Sequence, residues 1–124
     1  MAGEWYPYNL VDRITFGAAG TGTLVLTVGA TEEFAGERIF FVPSTGTFNI
    51  VKMYDASGKP YSNCDTNNPI PGILYDTTLA QRTDVDWFMV ELNLPPNTTL
   101  YIEVSGGTSA ATLDCVIVGK KRVI

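Results

Sequence analysis

Hydrophobic and polar positions alternate with a period of two along much of the chain. Leu24, Leu26 and Val28 share one face of a short segment, and Thr23 and Thr27 take the other. Phe88, Val90 and Leu92 repeat the pattern, and so do Leu100, Ile102 and Val104. Successive side chains on a strand point to opposite faces, so each trio predicts a strand with one buried side. Pro95-Pro96-Asn97 lies between the last two trios. Proline lacks the N–H that a ladder needs and asparagine tolerates turn angles, so Asp86–Val104 reads as two strands joined by a tight turn. The other face of this hairpin carries Trp87, Met89 and Tyr101 beside Glu91 and Glu103. It is too apolar for a plain solvated surface and too charged for a core, which points to contact with another protein.

The remaining elements follow from the same reading. Arg13–Phe16 is a short strand, and 17–22 is a loose glycine-rich turn. Residues 29–36, held open by their glycines, read as a loop. Arg38–Val42 is a strand apolar on both faces, ended by Pro43, and Thr47–Asp55 returns to make a second hairpin. In that return strand Phe48 and Ile50 lie on one side, Val51 and Met53 on the other. One extra residue near Ile50-Val51 would flip the alternation, so a β-bulge is expected there. Gly58 stands where a turn needs positive φ. Residues 59–69 form the most polar loop. Ile70–Tyr75 is an edge segment interrupted by Pro71 and Gly72. Residues 76–84 form another polar connection. Ser105–Ala111 is a loop of small residues, and Ala111–Val118 is the last strand, with Leu113, Cys115 and Ile117 on one side.

No segment sustains helical periodicity. The count is about eight short strands with regular turn signals, which predicts an all-β fold, an antiparallel β-sandwich or jelly roll. Residues 1–12, with Trp5, Tyr6 and Tyr8 around Pro7, read as an extended aromatic arm. Residues 13–119 are the single sandwich domain, and 120–124 a basic, solvated tail.

Composition narrows the function classes. A chain of 124 residues is one domain, and 45% hydrophobic against 17% charged residues makes it a folded one. A net charge of −5 disfavours nucleic acid, whose phosphates call for clustered cations. No apolar run approaches the ~18 residues of a membrane span, and no signal peptide is visible, so a soluble protein made in a cytoplasm is expected. Cys64 in a polar loop and Cys115 in an apolar strand are expected as free thiols.

The chain has no histidine. That removes the commonest general base and metal ligand, so a non-enzyme is expected, with no catalytic residue, cofactor or metal. Asp84 and Asp86, two apart, would share a strand face as a carboxylate pair requires, but a solvated strand start is their ordinary role. Asp55 with Ser57, and Asp65 with Asn67 and Asn68, place oxygens in loops as calcium would require. Turn capping is the commoner use of these residues. Trp5, Tyr61, Trp87 and Tyr101 could stack on sugars, although protein interfaces use the same residue types.

One resemblance adds to this reading. It rests on the run Phe48–Tyr61, then Asn68-Pro69-Ile70-Pro71. It continues in Trp87 through Leu94-Pro95-Pro96-Asn97-Thr98-Thr99-Leu100, and in the closing Val116-Ile117-Val118-Gly119 before the basic tip. Over roughly residues 38–122 this turn pattern resembles small β-sandwich virion proteins of tailed bacteriophages. The resemblance implies a capsid decoration or cement protein, or a minor head or tail component. Such a protein sits in the virion as a homo-oligomer, for example a trimer, on the major capsid protein or other virion proteins. Trp5, Tyr6, Tyr8, Trp87, Met89 and Tyr101 are the expected partner interface. The alternative is a carbohydrate-binding module for host-surface recognition.

Overall fold

In the computed structural model the described residues are 3–44, 47–71, 89–107 and 111–124. Among them are eight strands and no helix. The strands are β1 (Tyr6–Phe16), β2 (Thr21–Thr27), β3 (Glu32–Pro43), β4 (Phe48–Asp55), β5 (Ile70–Pro71), β6 (Met89–Leu94), β7 (Thr99–Gly106) and β8 (Ala111–Val123). They make two four-stranded antiparallel sheets. Sheet A has the order β1-β8-β3-β6 and sheet B the order β2-β7-β4-β5. The pairs β1·β8, β2·β7, β3·β6 and β4·β5 nest inside one another. The chain is thus one long antiparallel ribbon rolled into two layers, which is jelly-roll topology.

The period-two trios of β2, β7 and β8 fill the space between the sheets, while Phe88 of the fourth trio lies outside the described residues. Leu24, Leu26 and Val28 face inward, as do Leu100, Ile102 and Val104 and also Leu113, Cys115 and Ile117. Phe34, Ile39 and Phe41 from β3 and Leu92 and Leu94 from β6 complete the sheet A side. The sheets meet at Phe41 and Phe48, whose rings stand 5.4 Å apart. Each such side chain removed from water stabilises the fold by roughly 1.5–3 kcal/mol.

Two expected hairpins are corrected. β6 lies in sheet A and β7 in sheet B, and β3 and β4 are divided in the same way. The connections are arches across the core. Alternation reveals which face is buried but not which strand lies alongside, and an arch buries the same residues as a hairpin. Asn97, at φ 62°, makes the β6–β7 turn. Its N–H donates to the Gly29 carbonyl, and the Val28 N–H donates to the Thr98 carbonyl, fastening this arch to the one between β2 and β3.

Residues 6–12 are not an arm. They are the first half of β1, paired throughout with β8. Pro7 is tolerated because β1 is an edge strand. The basic tail is likewise the end of β8. Residues 32–36 are not a loop either but the start of β3. Their glycine marks close strand approach: Gly36 lies opposite Gly119, and a Cβ on Gly119 would collide with the Ala35 carbonyl oxygen. The bulge expected at Ile50-Val51 is present, as a register shift between Ile50 and Lys52. A second shift, between Gly36 and Arg38, switches the inward set of β3 from Phe34 and Gly36 to Ile39 and Phe41. The open edge of β2 is capped where the Val25 N–H donates to the Asp12 carboxylate at 2.7 Å.

Cys64 and Cys115 are both free and buried. Burial pushes the Cys115 thiol far up, and the Asp12 charge adds to the shift.

Two substitutions test this packing by chemical denaturation. Ile102→Ala, at a fully buried site on β7, is expected to lower stability by about 2–5 kcal/mol. Gly119→Ala is expected to cost about 1–3 kcal/mol through overpacking against β3, whereas an unstrained strand glycine would gain from alanine.

Candidate interaction surfaces

The outward residues of sheet A line up in cross-strand rows. Val11, Val116 and Phe40 form one row over β1, β8 and β3. Asn9, Val118 and Arg38 form the next toward one end, and Arg13, Asp114 and Val42 the next toward the other. Val11 is 63% exposed and Val42 38%. Phe40, Val116 and Val118 are half-buried. Four valines and a phenylalanine thus make a contiguous apolar patch on the solvent side of three strands. The exposed Arg13–Asp114 ion pair, at 2.5 Å, borders it.

The signal for this patch lay in two runs that are apolar on both faces. Ile39-Phe40-Phe41-Val42 and Cys115-Val116-Ile117-Val118 each fill the core with one set of residues and keep an apolar set outside. Val11 was hidden because its segment read as an arm.

The end of sheet A carries the aromatic residues expected at an interface. Trp5, one residue before the Tyr6–Lys121 pair, stands beside Arg122 on the outer face. The guanidinium lies 4.6 Å from the Trp5 ring centre and also ion-pairs with Glu33. On the inner face Lys121 sits 4.0 Å over the Tyr8 ring and ion-pairs with Glu32. The hydrogen bond to Glu32 raises the Lys121 pKa. Tyr8 meets Phe34 edge-on at 6.5 Å, and Tyr6 meets Tyr8 at 6.4 Å. Two of the three cations read as a solvated tail are therefore neutralised within the fold.

Trp5 also borders a groove of about 370 Å³ with Glu33, Phe34, Ala35, Asn93, Leu94 and Pro95. Sheet B has a different exterior, where Val25, Tyr101 and Tyr54 form a row. The two tyrosine rings stack on each other at 5.3 Å with 31° between their planes. Lys52 lies 4.7 Å over the Tyr54 ring, and a hydrogen bond to Glu103 raises the Tyr54 pKa.

The structure does not bring the six expected interface residues together. Trp5, Tyr6 and Tyr8 stand at the end of sheet A, and Tyr101 is on the opposite sheet. Met89 opens β6 opposite Arg38. Trp87 lies outside the described residues, as do Asp84 and Asp86. The sugar-stacking candidates are scattered too. Tyr61 packs against the core, and its hydroxyl donates to Asp55.

Both candidate cation loops use their carboxylates on their own backbone. The Asp55 Oδ1 accepts from the Ser57 N–H, the Ser57 hydroxyl and the Lys59 N–H. The Asp65 Oδ1 accepts from the Asn67 and Asn68 N–H groups. These are the turn-capping roles expected of such residues.

No protein-family model matches the chain, and no curated protein matches its sequence.

The Asp55 cluster gives a pH prediction. The Ser57 hydroxyl is the main cause that holds the Asp55 carboxyl below its usual range; burial opposes the shift, while the Lys59 and Ser57 N–H groups and the Tyr61 hydroxyl assist it. A lowered folded pKa contributes stability above the unfolded value, and that stability is lost as pH falls through the folded value. Asp55→Ala is expected to melt several degrees below the wild type at neutral pH. The gap should narrow as pH drops below ~4, followed by circular dichroism melts across pH.

Proposed function

We propose that this chain is a non-enzymatic structural subunit of a phage particle, acting as a decoration or cement protein on the head. Its partners in this reading are the major capsid protein and further copies of itself. The observation that carries the reading is the apolar row Val11, Val116 and Phe40, widened by Val42 and Val118. Large exposed apolar patches on a soluble domain mark surfaces that other molecules cover.

Three further points support it. The turn pattern over residues 38–122 resembles small virion proteins. The jelly roll is a fold that viral capsid domains use, although fold alone does not assign function. The Asp55 and Asp65 carboxylates of the two candidate loops cap turns, and Lys121 and Arg122 at the end of β8 are ion-paired, so these charged groups serve the fold itself. Symmetric assembly suits a small sandwich because each copy repeats the same contact.

The test is light scattering after size-exclusion chromatography, with co-sedimentation on capsids lacking the chain. The wild type is expected at a multiple of 13.5 kDa and in the capsid pellet. Val11→Glu, an exposed change, is expected to weaken association at least tenfold and leave the melting temperature unchanged. A strict monomer at every concentration, absent from the pellet, would contradict the reading.

A further inference from the structure

The groove at the end of sheet A is separate from the apolar rows. Trp5 stands just before β1 and six positions from Val11, which is about 20 Å of extended chain. We propose that this groove is a carbohydrate-binding site. Trp5 stacks on the apolar face of a sugar ring, and Glu33 and Asn93 take its hydroxyl groups. The inference stands apart from the assembly reading, because the two surfaces share no residue.

The argument starts with Trp5. An indole left 41% exposed just before β1 is a large apolar surface without full cover. It is also held in place, since the Arg122 guanidinium packs 4.6 Å from its centre and Arg122 is tied to Glu33. An aromatic face is negative, and the C–H bonds on one side of a pyranose present a weakly positive, apolar surface to it. A sugar needs this platform together with fixed polar groups at the rim. Glu33 supplies acceptor oxygens, and the exposed Asn93 amide supplies a donor and an acceptor. Ala35, Leu94 and Pro95 leave the floor apolar. The volume, about 370 Å³, falls in the ~300–1,000 Å³ range of small-ligand sites.

Charge selects among ligands that stack. Glu33 and Arg122 cancel, so the groove favours a neutral solute over a free cation or anion. A nucleotide would also stack on Trp5. Its phosphate would meet the Glu33 carboxylate on a chain of net charge −5. An apolar peptide would strip water from Glu33 and Asn93 without replacing its hydrogen bonds. A neutral polyol with one apolar face satisfies both halves of the groove. The walls come from the residue just before β1, from β3, and from the end of β6; β3 and β6 are paired, and Trp5 is packed on Arg122, so the geometry is set before a ligand arrives.

The experiment uses the full chain. A glycan array identifies the glycan with the highest signal, and that free oligosaccharide is titrated by calorimetry. A Trp87→Phe background leaves Trp5 as the single indole, and its emission should change saturably with the oligosaccharide. Trp5→Ala and Asn93→Ala are each expected to weaken binding at least fivefold. Val11→Glu should leave it unchanged. Asn93 is exposed, so its variant keeps the test valid if Trp5→Ala disturbs the start of β1. An array with no signal above background, or a loss under fivefold in a folded variant of either residue, would overturn the proposal.

Discussion

Two strands from the last quarter of the chain hold everything else in register. β8 pairs on one side with β1 and on the other with β3, and β7 pairs with β2 and β4. Neither sheet can close until these strands exist. Their inward residues, Leu100, Ile102 and Val104 on β7 and Leu113, Cys115 and Ile117 on β8, are all fully buried. Nearly every strand pairing therefore joins distant parts of the sequence, and loop closure must precede the burial that rewards it. Such topologies fold slowly for their size.

The same constraint shapes the exterior. A central strand has two faces, and only one can meet the core. On β8 the outer set is Val116 and Val118 flanked by Asp114 and Lys120, so its middle is apolar where an ordinary solvated sheet would be polar. β1 and β3 flank it with Val11, Phe40 and Val42. At the end of the strand the chemistry changes within one turn of the pleat. There Lys121 and Arg122 are matched to Glu32 and Glu33 and covered by Tyr8 and Trp5. One sheet thus presents an apolar middle and a polar, aromatic end, which is how a small domain can hold two unlike contacts without a deep cleft.

Much of the fold was legible in the sequence. The buried trios of β2, β7 and β8, the bulge at Ile50-Val51, the positive φ at Gly58 and the turn at Asn97 all follow from local patterns, and all are present. The failures have one cause, which is that local signals do not report neighbours. Arches passed for hairpins because both bury the same face. Gly36 passed for a loop residue because glycine that admits a close strand and glycine that makes a turn look alike. Pro7 hid a strand that is an edge and so can hold it. Lys121 and Arg122 looked solvated because their partners, Glu32 and Glu33, are some 90 residues away in sequence and meet them only across the β3–β8 ladder. For the same reason the apolar rows over β1, β3 and β8 could not be read as one surface until the pairings were known.

The central claim is that the outer face of sheet A is covered when the protein is at work. Hydroxyl-radical footprinting of the isolated chain and of the chain in its assembly reads this at single side chains. Labelling of Val11 and Val42 is predicted to fall several-fold on assembly, while Val25 on the outer face of sheet B keeps its reactivity. Equal labelling of Val11 and Val42 in both states would contradict the account.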